Sequence, residues 1–286
     1  PVETVRAAGR IVAKRDSGKA AFIDLADKTG RIQVLAGAKQ VGASWNIVQL
    51  LDLWDIIGVE GKVGRTRTGE ITIFADNVVC LTKTIAHPPE KHHGAQDIEI
   101  LLRQRYIDMI QDPGVVSRFE ARARIIQSIR RHLSDLGFIE VETPTMQAIA
   151  GGAAARPFIT HHNSLDIDLY LRIAPELYLK RCLVGGMEKV FELGRVWRNE
   201  GIDATHNPEF SIMELYEAYG DYYRMMEVTE GIIGAALQSL GRGPRVTFAG
   251  HEIDFTPPFR RVTYDELLRE YVGCGMDDTE KILSAA

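Results

Sequence analysis

Residues 191–219 read FELGRVWRNEGIDATHNPEFSIMELYEAY, and their two-residue alternation predicts a β-hairpin with unlike faces. The strands are FELGRVWRNE and FSIMELY, and the polar loop GIDATHNPE joins them. One side, which we call the hairpin face, carries most of the chemically active side chains. In chain order these are Glu192, Arg198, Glu200, Phe210, Glu214 and Tyr216. Together they could hold a phosphate, an amine and a flat base.

The segments before the hairpin in sequence are predicted to form two helices and a strand. A helical repeat of apolar residues over 115–136 ends at Gly137, and FIEVETPTM follows as a strand that stops at Pro144. A further helix begins with Pro175 at its first position and stops at Gly185. Between them, small residues such as Gly152 would let the backbone approach a ligand closely or make a tight turn.

The N-terminal part reads as β structure. Residues 4–83 contain about five short strands separated by turn residues, with a helical insertion near 38–53. This pattern suits a small closed Greek-key barrel of the OB-fold type, although the pattern alone fits other β-barrels as well. Residues 84–97 then form a Pro-interrupted polar linker. Its three histidines have no partner cysteines, which favours a linker over a metal site.

Bulk composition bounds the protein class. At 286 residues the chain accommodates two domains. The net charge of −5 gives no global basic field, so nucleic acid would bind only through local patches. Three scattered cysteines without a CxxC pair argue against disulfides and structural zinc, and lead us to expect a cytoplasmic protein. No apolar stretch reaches about 18 residues, so no membrane segment is expected.

The loop of the hairpin carries a family resemblance. Arg198-Asn199-Glu200-Gly201, followed after four residues by His206-Asn207-Pro208-Glu209-Phe210, resembles motif 2 of the class II aminoacyl-tRNA synthetases in its lysyl form. The helix, Gly-Phe, acidic strand and proline around 115–144 resemble motif 1, which builds the homodimer interface in that family. The resemblance implies an α+β fold, with an OB-fold anticodon-binding barrel (1–84), a linker (85–97) and an antiparallel-sheet catalytic domain (98–286).

The resemblance also implies an activity, its ligands and its partners. The family activates lysine with ATP to lysyl-adenylate and transfers it to the 3′ end of tRNA(Lys). The implied partners are ATP, L-lysine, tRNA(Lys) and a second copy of the chain, and Mg²⁺ would accompany the polyphosphate. The attacking carboxylate is already ionised at neutral pH, since the pKa of a free α-carboxyl is roughly 3.5, so no general base is required.

Site residues follow position by position from the matching motifs. The catalytic clamp is Arg198, whose guanidinium fork would grip the carboxylate and the α-phosphate. The ATP-binding set is Arg198, Glu200, His206, Asn207 and Phe210. The lysine-binding set is Gly152, Glu176, Glu214 and Tyr216. The residues that would read anticodon bases by stacking and hydrogen bonding are Phe22, Gln33 and Glu70. No metal ligand is assigned in this chain.

Individual residues keep simpler alternatives. Phe22 and Phe210 could be ordinary core residues, and Glu176 could serve only the dipole of its helix. Arg198 could be a surface arginine paired with Glu200. The basic residues of the first strand, among them Arg6, Arg10 and Arg15, could contact phosphates or simply be solvated.

The family resemblance stops before the end of the family's polypeptides. Motif 3 and the later acidic metal-binding stretch are not found, and the chain starts at Pro1 without an initiator methionine. We therefore expect a trimmed form with at most weak activity of its own. Two other readings stay open: a non-catalytic tRNA-binding or regulatory paralogue, and an aspartyl or asparaginyl enzyme, which the loop residues disfavour.

Overall fold

The computed structural model describes residues 4–86, 98–203 and 205–285. It divides into two compact units, Pro1–Asp112 and Pro113–Ala286. Most of the linker predicted at 85–97, including His87, His92 and His93, lies outside the described residues. The domain boundary that we expect near residue 98 stays a prediction.

The first unit is built around a five-stranded closed barrel. Its elements are β1 (Thr4–Ser17), β2 (Ala20–Ala26), β3 (Arg31–Gly37), α1 (Ala38–Val41), a 3-10 turn (Gly42–Ser44), α2 (Trp45–Gln49), β4 (Ile56–Arg65), β5 (Ile71–Thr82), α3 (Ile98–Arg103) and α4 (Arg105–Gln111). The strands close in the order β1-β2-β3-β5-β4, with β3 and β5 parallel and the helical insertion between β3 and β4. The predicted barrel is therefore confirmed.

Alternation along the barrel strands separates its core from its outer surface. In β2, Ala21, Ile23 and Leu25 are buried in the barrel core, whereas Phe22 between them is only half-buried. Phe22 consequently belongs to the outer face, and the alternative of a core phenylalanine is wrong.

The second unit packs helices on small sheets. Its elements are α5 (Pro113–Asp135), β6 (Ile139–Glu140), β7 (Met146–Gln147), β8 (Ile159–His162), β9 (Ile167–Leu171), α6 (Glu176–Val184), β10 (Lys189–Trp197), β11 (Glu209–Glu217), α7 (Tyr222–Ser239), β12 (Arg245–Phe248), β13 (His251–Asp254), α8 (Tyr264–Tyr271) and α9 (Thr279–Ala285). β10 and β11 form the predicted antiparallel hairpin, and β6 adds to β10 in parallel.

The hairpin has one packed face and one open face. Phe191, Met213 and Leu215 pack with residues of α5 and α7 in the core of this unit. Antiparallel pairing places Glu192 opposite Glu214 and Val196 opposite Phe210. Since directly opposed residues point to the same side, these four lie on the other face. Both faces match the alternation in the sequence.

Two details differ from the sequence-based expectation. The strand expected to run up to Pro144 covers only β6, Ile139–Glu140, and a separate strand, β7, follows Pro144 in a different sheet. Pro175 precedes α6 as its N-cap residue rather than occupying its first position.

Candidate functional site

Arg198 lies on the hairpin face beyond the last residue of β10. Its backbone N–H donates to the Pro208 carbonyl at 2.8 Å, which continues the pairing of the two strands past Trp197. The guanidinium carbon lies 5.1 Å from the centroid of the Phe210 ring, a cation–π contact. Phe210 and Glu214 are four residues apart on one strand. Arg198 and Glu214 are therefore on the same side of the sheet.

The Arg198 side chain is incompletely satisfied. Its Nε is buried, and no hydrogen-bond partner for it lies within the described part of the chain. A buried donor without a partner costs roughly 1–3 kcal/mol, so such a group is suited to meet an anionic ligand. Glu200 is not its partner in an ion pair: the Glu200 carboxylate accepts from the Arg156 N–H at 3.4 Å. The alternative of an Arg198–Glu200 surface pair is wrong.

The loop between the strands is organised by Asp203. Its carboxylate accepts from the Thr205 and His206 N–H groups at 2.7 and 2.8 Å and contacts His206 Nδ1 at 2.8 Å. These hydrogen bonds, led by the Thr205 N–H, hold the pKa of Asp203 well below its usual range. Since Nδ1 is engaged, Nε2 is the nitrogen of His206 left for a ligand. Asn207 uses its amide to donate to the Glu209 carbonyl at 2.8 Å.

A carboxylate pocket lies further along the hairpin face, where α6 meets β11. The Tyr216 hydroxyl donates to Glu214 Oε2 at 3.3 Å, and Glu176 on α6 accepts from Lys180 Nζ at 2.6 Å. Lys180 Nζ also lies 6.0 Å from the centroid of the Tyr216 ring. A Cβ added to Gly152 would lie 2.9 Å from the Glu176 Cβ. The structure thus brings together all four residues that we predicted around an amino acid.

The electrostatics of this pocket follow from its burial. Burial raises the pKa of the Glu214 carboxyl, and the negative charges of Glu176 and Glu192 add to that, while the Tyr216 hydroxyl and Arg172 act in the opposite direction. Burial also raises the pKa of the Tyr216 phenol, with Glu214 as the next cause. The pocket therefore contains a half-buried carboxylate and a neutral phenol, both able to accept a hydrogen bond from an ammonium group.

A buried ion pair supports the pocket, and sequence reasoning missed half of it. The guanidinium of Arg172, just before α6, pairs with the Glu192 carboxylate, and the two residues are 2% and 4% exposed. Thr143 Oγ1 donates to Glu192 Oε2 at 2.6 Å. Arg172 Nε donates to the Arg195 carbonyl at 2.9 Å. The alternation along β10 pointed to Glu192, but no local pattern marks Arg172.

The first unit carries a separate groove on the barrel surface. Its volume is about 680 Å³, and Phe22, Gln33, Phe74, Arg15 and Arg65 are among the lining residues. Gln33 also lines an adjoining polar pocket with Glu70, so all three predicted base-reading residues border one region. Phe74 and the arginines of the β4–β5 turn were missed, since their place in the groove depends on the pairing of distant strands.

The basic residues of β1 separate into different roles. Arg15 lines the groove. Arg6 instead pairs with Glu60 at 2.9 Å, and an Nη of Arg10 donates to the Trp54 carbonyl at 2.9 Å.

Within residues 4–86, 98–203 and 205–285, no group of three or more His, Cys, Asp or Glu side chains could hold a metal ion. No helix in the same ranges is long and apolar enough to cross a membrane. Cys80, Cys182 and Cys274 are all unbridged.

Two family models match the chain. The model of class II tRNA synthetases (D, K and N) matches residues 97–285, and that of the OB-fold nucleic acid binding domain matches residues 5–81. Together they cover both compact units.

Curated relatives match over nearly the whole chain. Proteins named lysine–tRNA ligase from Thermoanaerobacter sp. (strain X514), Moorella thermoacetica and Syntrophomonas wolfei are 51%, 52% and 50% identical to it, over 97%, 96% and 95% of this chain. The matched regions are 56%, 56% and 55% of those proteins. The chain thus spans little more than half the length of these relatives.

Proposed function

The chain belongs to the class II tRNA synthetases (D, K and N), and from that premise we propose that it functions as a lysine–tRNA ligase. The observation that carries the proposal is the hairpin face, which places Arg198 and Phe210 beside the pocket of Glu214 and Tyr216. The names of the relatives point to the same amino acid. Two carboxylates and a phenol oxygen suit a cationic side chain. An aspartate substrate would instead bring a further carboxylate, and the neutral amide of an asparagine would leave the negative charge of the pocket uncompensated.

In the first step, the lysine carboxylate attacks the α-phosphorus of ATP, a P–O bond forms and pyrophosphate leaves. Arg198 would hold the attacking carboxylate and an α-phosphate oxygen, which lowers the barrier through positioning and charge stabilisation. Its Nε, which has no hydrogen-bond partner among the described residues, is suited to that task. Phe210 would support the adenine and Glu200 would accept from its amino group. His206 would reach the outer phosphates, with Asn207 holding the loop.

The amino acid would be oriented by the carboxylate pocket. Glu214 and Tyr216 would accept from one ammonium group of lysine, while Glu176 and the backbone at Gly152 would lie near the other. A site of this kind rejects neutral isosteres, because its buried acceptors would then be left without donors.

In the second step, a ribose hydroxyl at the 3′ end of tRNA(Lys) attacks the carbonyl carbon and AMP leaves. We propose that the barrel groove binds the anticodon through stacking on Phe22 and hydrogen bonds to Gln33 and Glu70. The arginines around the groove would contact phosphates.

Two further partners are proposed. Mg²⁺ would accompany ATP on the phosphates; the described residues offer no cluster for it, so no side chain is assigned as its ligand. A homodimer would form through the motif 1 helix α5, where Val116 and Phe119 are exposed apolar residues.

Lysine-dependent exchange of pyrophosphate into ATP tests the function, run on this chain and on a form extended to the length of its relatives. Exchange in either form supports the ligase. If neither form catalyses exchange while both bind tRNA, the non-catalytic paralogue is the correct reading.

Glu214→Gln tests the assignment of the pocket. The KM for lysine should rise at least about a hundredfold, on the order of 3 kcal/mol for a lost charged hydrogen bond, while the KM for ATP stays nearly constant. Glu209→Gln is the matched control, since Glu209 is an exposed residue of the same strand. Equal losses for lysine and ATP would remove Glu214 from the lysine site.

A further inference from the structure

Three carboxylates surround the proposed lysine pocket, and they differ in their partners. Glu176 is paired with Lys180, and Glu192 is paired with Arg172. Glu214 accepts from the Tyr216 phenol, and no basic side chain in the described ranges forms an ion pair with it. Only Glu214 therefore offers an uncompensated negative charge to a ligand.

Arg172 can pair with Glu192 because its side chain lies close to the backbone of β10. A Cβ on Gly194 would collide with a guanidinium nitrogen of Arg172, so the glycine makes room for the side chain. The Arg172 guanidinium contacts Glu192, the Thr143 hydroxyl and the Arg195 carbonyl. Its backbone also joins two segments: its N–H donates to Thr145 at 2.8 Å and its carbonyl accepts from Trp197 at 2.9 Å.

We propose that Arg172 is a positioning and specificity-determining residue: by neutralising Glu192, it leaves Glu214 as the ionised carboxylate that meets the ammonium group of the substrate. This inference rests on the proposed function. Glu192 and Glu214 are directly opposed on neighbouring strands, where Cβ atoms are about 5 Å apart. A negative charge on the opposed residue disfavours the ionised form of the half-buried Glu214 unless a cation compensates that charge.

The groups that face Glu214 support this reading. They are Tyr216 on its own strand, Glu192 on β10, Glu176 on α6 and Arg172 in the segment before α6. Lys180, also on α6, is paired with Glu176. Burial, Glu176 and Glu192 all raise the pKa of Glu214, whereas the hydrogen bond from Tyr216 and, to a smaller extent, the charge of Arg172 lower it. Arg172 is thus the cationic group that opposes protonation of Glu214.

The test is the KM for lysine as a function of pH in the exchange reaction, with the KM for ATP measured beside it. Removing the cation in Arg172→Met leaves the negative charge of Glu192 uncompensated, which favours the protonated form of Glu214. We expect the KM for lysine to rise about tenfold near neutral pH, which corresponds to about 1.4 kcal/mol of lost interaction, and to recover as the pH rises and Glu214 ionises. The KM for ATP should not follow this profile.

Glu192→Gln gives the opposite imbalance. Arg172 then remains without its partner beside Glu214 and competes with the ammonium group, so lysine use should fall at every pH without recovery. The double variant Arg172→Met/Glu192→Gln removes both charges and should return the KM for lysine to within about threefold of the parent, with a flat pH profile. Arg172→Lys keeps the charge and should show no pH-dependent loss.

The outcomes separate the two claims. The variants are made in whichever form exchanges pyrophosphate, this chain or its extended form. If neither form shows lysine-dependent exchange at any pH, the proposed function fails. If the parent is active but Arg172→Met loses lysine and ATP affinity equally and without pH dependence, Arg172 only supports the fold and the inference is wrong. If Arg172→Met does not fold, Glu192→Gln and Arg172→Lys test the inference instead. A KM for lysine that is raised near neutral pH and recovers at high pH in either variant overturns the inference.

Discussion

Arg198 combines two properties that are unusual in one side chain: contact with an aromatic ring and a buried nitrogen without a partner in the described ranges. Arg198→Lys keeps the charge but removes the planar fork of donors. We expect the rate of pyrophosphate exchange to fall, because about 3 kcal/mol of transition-state stabilisation is lost, as when one preorganised donor is removed. Arg195→Lys, on β10 and in an exposed pair with Glu209, is the control. An unchanged rate in Arg198→Lys would contradict the clamp.

Gly152 is required for two separable reasons. Its φ of +89° disfavours any side chain, and a Cβ there would lie 2.9 Å from that of Glu176 and 3.1 Å from that of Ala174. Gly186 has a similar φ of +99° with open space around it. Both Gly→Ala variants should lose about 1 kcal/mol of stability through backbone strain, and Gly152→Ala should lose more because its Cβ also collides. Only Gly152→Ala should weaken lysine binding, measured by calorimetry. Equal lysine affinities in the two variants would separate Gly152 from the pocket.

At the scale of single residues, the sequence predicts the face on which a strand side chain lies, because local periodicity determines it. The alternation of strand residues with a fixed period predicts that Arg198, Phe210 and Glu214 share one face. Arg172 could not be found in this way. It reaches Glu192 across a turn and a helix, and its role depends on how α6 and β10 pack, which no spacing within either element specifies.

The apolar face of the hairpin packs against two helices, α5 and α7. α5 and α7 contribute Leu133 and Val228 to the core beneath Phe191, so the face with the charged residues is fixed by the packing of the other face. The predicted helix at 115–136 and the predicted hairpin both exist for this reason: long apolar repeats have enough buried surface to determine their structure. The short FIEVETPTM segment has little, and its pairing is decided by neighbours distant in sequence.

The contact between α5 and α7 gives a prediction for the element scale. A Cβ on Gly231 of α7 would collide with the imidazole of His132 on α5, whereas a Cβ on Gly234 would meet open space. Gly234→Ala should stabilise the second unit by about 0.5–1 kcal/mol, the usual gain in a helix. Gly231→Ala should destabilise it by about 1–3 kcal/mol through overpacking.

Urea unfolding of the two variants measures this difference. Removing the obstacle in Gly231→Ala/His132→Ala should return part of the lost stability, because the two side chains share one space. If Gly231→Ala were as stable as Gly234→Ala, the two helices would not approach each other as closely at this point as the structure has them.

At the scale of the whole molecule, each of the two compact units contains its own candidate binding site. The groove with Phe22 belongs to the first unit and the hairpin face to the second. The barrel and the order of the units could be predicted, since turn residues and strand lengths mark them in the sequence. The composition of the groove could not, because Phe74 and Arg65 join Phe22 only through strand pairings that close the barrel.

This division predicts that binding of tRNA and activation of lysine can be altered separately. Phe22→Ala removes a half-buried ring from the groove without touching the barrel core. The affinity for tRNA(Lys) should fall by about 1–3 kcal/mol, as for one stacked base, while lysine-dependent pyrophosphate exchange stays unchanged. Leu50→Ala, which removes a 73% exposed apolar side chain from the same unit, should change neither. A loss of exchange in Phe22→Ala would show that the groove acts on the chemistry of the second unit, and unchanged tRNA affinity would show that the anticodon binds elsewhere.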